Sequence, residues 1–359
     1  MGFNCGIIGL PNVGKSTLFN ALTSAGAAAS NFAFCTVDPN VGRVPVPDER
    51  LEKAASIAVS KTVVYTQMEF IDIAGLVKGA SRGEGLGNRF LGHIRSVDAI
   101  AHVVRCFSSG DVMHVMGSVD PVRDIEVVES ELMIADLDSV EKKIKTIVKL
   151  AASGDKQAVE LLSKLELLRE GLQRGIPVSH IDGSEPLAEL PLLTAKPAMY
   201  IANIGDPADE DTPHVRAVRE YAKNRSAAFV TVCSQLEAEI AELPTDERND
   251  YRREMSLAGS GLDRMIKAGY ELLGLITFLT AGPKEARAWT IEKGTNALNA
   301  AGKIHTDFKK GFIRAEVIGY EDYVACNGEL GAKEKGKMRL EGKDYMVIDG
   351  DVIFFRVAA

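Results

Sequence analysis

The segment Gly9-Leu-Pro-Asn-Val-Gly14-Lys15-Ser16 matches the pattern G-x-x-x-x-G-K-[ST] without a mismatch. An apolar run, Cys5-Gly6-Ile7-Ile8, precedes it and reads as a buried strand. Thr17-Leu18-Phe19-Asn20-Ala21-Leu22 follows and reads as the start of a helix. Strand, glycine turn and helix start, in that order, gather backbone N–H groups and a helix N-terminus around one concave point that suits phosphate. Asn12, Val13 and Gly14 supply the loop, and Thr17 continues it into the helix. Lys15 reaches the outer phosphates and is a candidate catalytic group, while Ser16 offers a hydroxyl to Mg²⁺. A chance match to a glycine-rich turn is the competing explanation, and the flanking strand and helix argue against it.

A chain of 359 residues has room for two or three domains. Its 46% hydrophobic and 26% charged residues are those of a globular protein. The net charge of −8 argues against broad electrostatic attraction to nucleic acid, though not against a local basic patch. Cys5, Cys35, Cys106, Cys233 and Cys326 are odd in number and far apart, with no metal-ligand spacing, which suits a reducing compartment. The N-terminus has no charged and apolar leader pattern, and no apolar run approaches the roughly 18 residues of a membrane span. The expected location is the cytoplasm.

The first hundred residues alternate between strand patterns (Phe3–Ile8, Val63–Ile73, Ala99–Val104) and helix patterns (Ser16–Thr23, Pro47–Ala58, Asn88–Arg95). Such alternation predicts an α/β domain with a mostly parallel sheet. From Asp124 the apolar residues fall at steps of three and four, from Ile125 through Ala151 and, after Gly154-Asp155, from Ala158 to Leu172. This predicts two long helices joined by a tight turn, either packed on the main body or projecting as a coiled-coil arm. Strand patterns resume at Pro197–Ala202 and Ala227–Val232, so the helical stretch is an insertion. The domains expected are 1–123 with 191–275 (α/β), 124–190 (helical hairpin) and 276–359 (small α+β). Strands are expected in the last at Ile276–Ala281, Ala286–Ile291, Phe312–Ile318, Asp344–Val347 and Val352–Val357.

Asp72-Ile-Ala-Gly75 ends a β-rich run. Behind a P-loop, an aspartate there organises Mg²⁺, and Gly75 lets the backbone approach the terminal phosphate. Thr36 lies between the two motifs and is a further candidate Mg²⁺ ligand. Leu76 occupies the position at which GTPases often orient the attacking water, and it can neither donate nor accept a hydrogen bond. Asn203-Ile204-Gly205-Asp206 stands at a later strand end, where a GTPase carries N-K-x-D. There Asn203 and Ile204 would meet the base and Asp206 could accept from guanine. Ser234 closes the next strand end and is a further candidate base contact.

These stretches, with Asn31–Asn40, Asp72–Arg95 and Ala301–Arg314, resemble the Obg-like P-loop NTPases, and in particular their YchF branch, over essentially the whole chain. The resemblance implies a P-loop G domain, an inserted coiled-coil arm and a C-terminal β-grasp (TGS) domain. It implies a preference for ATP over GTP, although that branch carries glutamate where this chain has Asp206. It also implies that His114, in Asp111-Val-Met-His114-Val, positions the water in place of the missing polar group. Related GTPases use an asparagine at the place of Asn12 to hold K⁺, so K⁺ joins Mg²⁺ as a candidate cofactor. The expected protein is an ATP-hydrolysing switch. Its expected partners are ATP or GTP, the ribosome through its large subunit, and RNA, with no membrane, for a chain acting as a monomer. A GTP-specific GTPase and a chiefly RNA-binding module are the alternatives. Lys333, Lys335, Lys337, Arg339 and Lys343 cluster near the C-terminus, but residues 277–359 carry 13 basic and 12 acidic side chains, so a solvated surface is the plainer expectation.

Overall fold

The computed structural model describes residues 3–29, 41–73, 86–109, 112–184, 187, 189–255, 257 and 259–358. Thr36, Gly75 and Leu76, named above, lie outside them, as does Cys35. In chain order the first elements are β1 (Asn4–Ile8), α1 (Lys15–Ala29), β2 (Val41–Pro45), α2 (Glu49–Ala58), β3 (Thr62–Val64), β4 (Gln67–Asp72), α3 (Leu86–Ser96) and β5 (Ala99–Arg105). Then come α4 (Pro121–Ala152), α5 (Lys156–Gln173), β6 (Ala198–Asn203), α6 (Pro213–Asn224), β7 (Ala228–Val232), α7 (Ser234–Glu242), α8 (Thr245–Glu254) and α9 (Gly261–Leu272). The chain closes with β8 (Leu275–Ala281), β9 (Glu285–Glu292), α10 (Ala297–Ile304), α11 (Thr306–Lys310), β10 (Phe312–Ile318), α12 (Tyr320–Ala325), α13 (Glu329–Glu334), β11 (Arg339–Glu341) and β12 (Val352–Val357).

Two compact units form, one from Met1–Val44 with Glu69–Gly269, the other from Pro45–Met68 with Tyr270–Ala359. The first is built on a six-stranded sheet in the order β2-β4-β1-β5-β6-β7. β1 runs parallel to β4 and β5, and β5, β6 and β7 are parallel in turn. Every residue of β5 is buried, as expected for a central strand covered on both faces. The register sets Ile7 beside Asp72, and Asn203 beside both Arg105 and Val232. The chain therefore leaves five neighbouring strands, β4, β1, β5, β6 and β7, at one end of the sheet, where α/β folds bind their ligands.

Between β5 and β6 the chain makes a helical hairpin. Asp120 caps α4 by accepting from the Arg123 N–H, and Pro121 fits the first helical turn, where its missing N–H is not needed. At 32 residues α4 is about 48 Å long. Gly154, at φ +86°, makes the reversal, and Asp155 caps α5 through the Ala158 N–H. The two expected arrangements divide the hairpin between them. Ile125, near the start of α4, packs with Val104 and Tyr200 of the sheet and Val215 of α6, whereas Val140 and Ile144 further along pack with Leu165, Leu168 and Leu172 of α5.

The second unit has a mixed sheet in the order β11-β10-β12-β8-β9-β3. Its two faces follow strand periodicity. Phe278 packs with Ala297, Ala300 and Ile353, while its neighbour Leu279 packs with Leu51, Ala54 and Val352. Here the structure corrects the order expected from the sequence. The helix at 47–58 was assigned to the P-loop domain by its place in the chain. Instead Leu51, Ala54 and Ala55 of α2 bury against Leu279, Ala281, Ala286 and Ala288 of the C-terminal sheet. Arg50 bonds both Asp48 and Asp349, the latter at 2.6 Å. The single strand expected at Val63–Ile73 is two strands in two sheets, with Thr62–Val64 paired to β9 and Gln67–Asp72 paired to β1. The strand expected at Asp344–Val347 is only a bridge between Asn296 and Met346.

Candidate nucleotide site

The P-loop joins β1 to α1 and lines a cavity of about 830 Å³, a size that suits a nucleotide. Its walls include Leu10, Asn12, Gly14, Lys15, Ser16 and Thr17 from the loop and helix start, with Asp72 from the end of β4. Phe107, Ser109, Val112, Ile204, Gly205 and Gln235 complete it. Val13 is buried beneath the loop rather than in the wall. Two backbone conformations shape the turn. Asn12 has φ +64°, which asparagine tolerates, and Gly14 has φ +90°. A Cβ at Gly14 would strike the Asn203 amide nitrogen, so both the angle and the space require glycine.

Lys15 is nearly buried, and its Nζ forms an ion pair with Asp72 Oδ1. Ser16 and Asp72, the two described candidates for Mg²⁺, both line this cavity. Among the described residues no cluster of three or more His, Cys, Asp or Glu could hold a metal by itself.

Asn203 does not lie free for the base. Its Nδ2 donates to Val13 O at 2.8 Å, and its Oδ1 accepts from the Ser234 N–H at 3.1 Å. It therefore braces the P-loop against the start of α7. Ser234 Oγ is buried with no hydrogen-bond partner among the described residues, and Gln235 rather than Ser234 reaches the wall. Asp206 is the clearest departure from expectation. It is exposed, absent from the wall, and its Oδ1 accepts from the Ala208 N–H at 2.8 Å. It caps the short 3₁₀ turn Pro207–Asp211, a local bond open to any Asp-Pro-x sequence.

His114 is also placed differently. It is buried and stands off the cavity wall. Its Nε2 lies 2.8 Å from Asp124 Oδ2, and its Nδ1 accepts from the Met116 N–H at 3.1 Å. The second bond fixes the tautomer, because a nitrogen that accepts carries no proton, so Nε2–H donates to Asp124.

Arg105, which the sequence did not single out, connects these parts. Its Nη1 donates to Asn12 O at 3.3 Å, its Nη2 to Val112 O at 2.9 Å and its Nε to Phe107 O at 3.1 Å. The guanidinium lies 4.5 Å from the Phe107 ring centroid. Asn12 Nδ2 adds a bond to Met113 O at 3.1 Å. Burial pushes the Arg105 guanidinium below its usual range, with the nearby Asp124 carboxylate opposing the shift. The available sequence signal is a charged residue ending a mainly apolar strand, Ala-Ile-Ala-His-Val-Val-Arg105.

No described helix is long and apolar enough to cross a membrane. In the C-terminal basic cluster, Lys337 pairs with Asp322 at 3.2 Å and Arg339 approaches Asp351 at 3.6 Å, so acidic neighbours offset part of its charge.

The chain resembles known proteins over its full length. Residues 4–151 match a family model described as a 50S ribosome-binding GTPase, and residues 275–358 match the C-terminal YchF-GTPase model, described as a protein of unknown function. The chain is 54% identical to the ribosome-binding ATPase YchF of Escherichia coli O157:H7, over 99% of each protein. It is 52% identical to the protein of that name from Bacillus subtilis strain 168, again over 99% of both. The solved Schizosaccharomyces pombe YchF GTPase superposes with a TM-score of 0.88 at 34% identity, covering 99% of this chain and 98% of that one. The strand-end motifs, the inserted hairpin and these full-length similarities lead to one conclusion: the chain belongs to the YchF family of P-loop nucleotide hydrolases.

Proposed function

We propose that this protein is a Mg²⁺-dependent ATPase that acts as a nucleotide-controlled switch on the ribosome. The preference for adenine rests on one observation. Asp206, the carboxylate placed by sequence to accept from guanine, turns away to cap Pro207–Asp211, and the wall beyond Asn203 is Ile204, Gly205 and Phe107. A guanine would lose its ring N–H acceptor there, and a donor left unpaired where water is excluded costs about 1–3 kcal/mol. GTP is then the weaker ligand. Ribosome binding is carried over from relatives named for it, at 52–54% identity over nearly the full chain. The large subunit as the contact, RNA within that contact, a cytoplasmic location and a monomeric state belong to the same proposal.

The chain's own groups divide the work. P-loop N–H groups and Lys15 hold the phosphates, which requires Lys15 to exchange Asp72 for phosphate oxygen. Ser16 and Asp72, with Thr36, would hold Mg²⁺, which when bound neutralises charge developing on the transferred phosphoryl group. Gly75 would let the backbone approach the terminal phosphate. Asn12 would help hold K⁺, and equal turnover in Na⁺ and K⁺ buffers would exclude that role. Asn203 sets the P-loop, and Ile204 covers the base. His114 positions the water once its loop has turned, since Leu76 offers no hydrogen bond.

Competitive binding of ATP and GTP tests the base preference. The expected result is ATP tighter by about tenfold or more, with the ratio unmoved by Asp206→Glu. Equal affinities, or a GTP affinity that follows residue 206, would overturn it. Co-sedimentation with ribosomes in ATP and in ADP tests the switch, which fails if binding ignores the nucleotide.

A further inference from the structure

We propose that Asp124, on the first turn of α4, is a positioning residue that holds His114 off the phosphates and keeps hydrolysis slow until the loop 112–118 is displaced. The proposal rests on His114 as the group that positions water.

Both imidazole nitrogens are in use. Nε2–H donates to Asp124 and Nδ1 accepts from Met116, so neither is free to meet a water. Yet Val112, two residues earlier, lines the nucleotide cavity, so a local turn of the loop brings the ring to it.

The burial pattern shows what seats the loop. His114 is 7% exposed, whereas Met113 is 82% and Val115 47% exposed. Hydrophobic burial alone would place the apolar side chains inward and the imidazole outward. The polar ring is inside because a carboxylate receives it there, and charge-assisted hydrogen bonds are roughly twice as strong as neutral ones.

Asp124 divides its oxygens. Oδ1 meets Arg123 Nη2 at 3.1 Å and Oδ2 meets the imidazole. Arg123 also grips Ser118, through its carbonyl at 2.6 Å and its hydroxyl at 3.1 Å. The loop is thus tied at one end to the first turn of α4, and at the other to the P-loop through Asn12 and Arg105. α4, 32 residues in all, runs on into the hairpin. A partner that shifts the base of this helix strains the Asp124–His114 bond and the Arg123–Ser118 bonds together. The latch therefore links the arm to the phosphates through named bonds, as a two-position element requires.

Single-turnover ATP hydrolysis without ribosomes tests this in four proteins: wild type, Asp124→Asn, His114→Ala and the double variant. The asparagine side chain keeps the shape and an acceptor but loses the charge. The expected result is a single-turnover rate raised about three- to tenfold in Asp124→Asn, ATP affinity unchanged, and a double variant as slow as His114→Ala. If His114→Ala is slow but Asp124→Asn is no faster than wild type, His114 positions water and the latch is wrong. If His114→Ala matches wild type and the double variant matches Asp124→Asn, the role of His114 fails and the latch with it. If Asp124→Asn is faster even without His114, the effect does not pass through the imidazole and the proposal is overturned. Should Asp124→Asn not fold, imidazole ¹⁵N spectra of the wild-type protein decide the matter. A slowly exchanging Nε2–H on His114 supports the latch, and a rapidly exchanging ring overturns it.

Discussion

Asn203→Ala is the perturbation whose consequences can be worked most fully from the geometry. Asn203 is buried, and its side chain is the bonded partner of Val13 O at 2.8 Å and of the Ser234 N–H at 3.1 Å. Alanine removes both bonds and leaves two backbone groups unpaired. Each costs about 1–3 kcal/mol when buried, so the loss is about 2–6 kcal/mol. For a unit of this size that lowers the melting temperature of the first unit by about 5–15 °C. Binding suffers as well, because Val13 O belongs to the loop whose N–H groups must point at phosphate. If a third of that loss falls on the bound state, about 0.7–2 kcal/mol, ATP affinity drops about three- to thirtyfold. Asn203→Asp separates the two bonds, since a carboxylate still accepts from Ser234 but repels Val13 O. Calorimetry would follow the melt, and titration with a fluorescent ATP analogue the affinity. A melt within about 2 °C of wild type with ATP affinity within twofold would refute the bracing role.

Three further outcomes are expected. Gly14→Ala, which needs a left-handed φ of +90° and drives a methyl into Asn203, should weaken ATP binding by more than about tenfold while the second unit melts as before; near-normal binding contradicts it. Ser16→Ala should bind ATP within about threefold of wild type but lose at least about tenfold in turnover, with a higher Mg²⁺ requirement, because a phosphoryl-transfer metal has lost one oxygen; an unchanged Mg²⁺ titration excludes the ligand role. Burial lowers His102 to about 4. The unfolded chain titrates near 6.5 and so takes up the proton first. Stability from His102 is intact above about pH 6.5 and falls by about 3 kcal/mol as pH drops toward 4. Urea unfolding of His102→Gln should show a shallower loss across that window, and an identical slope would refute the assignment.

The two kinds of information divide along a physical line. The sequence by itself determined the phosphate half of the site. A P-loop is contiguous, and its chemistry depends on backbone N–H groups whose placement follows from glycine spacing and the flanking strand and helix. Asp72 and Asn203 were legible for a related reason: parallel strands end on one side of a sheet, so a polar residue closing an apolar run is brought to the same edge. The periodicity of α4 and α5 was equally plain, because steps of three and four persist over many turns.

Only the tertiary structure decided which way the side chains at those positions point. Asp206 had the right spacing for guanine, but its carboxylate found a nearer donor in its own turn. His114 had the right place in the chain, but Asp124 receives its ring. Arg105 carries no motif, since its partners are carbonyls, which every residue possesses. The run Thr62–Asp72 was split between two sheets because Tyr65 and Thr66 favour strand as much as their neighbours do, leaving no local mark of the crossing. The sequence names groups and local geometry. Which acceptor a donor meets is settled by distances between segments far apart in the chain, and these exist only once the fold has formed.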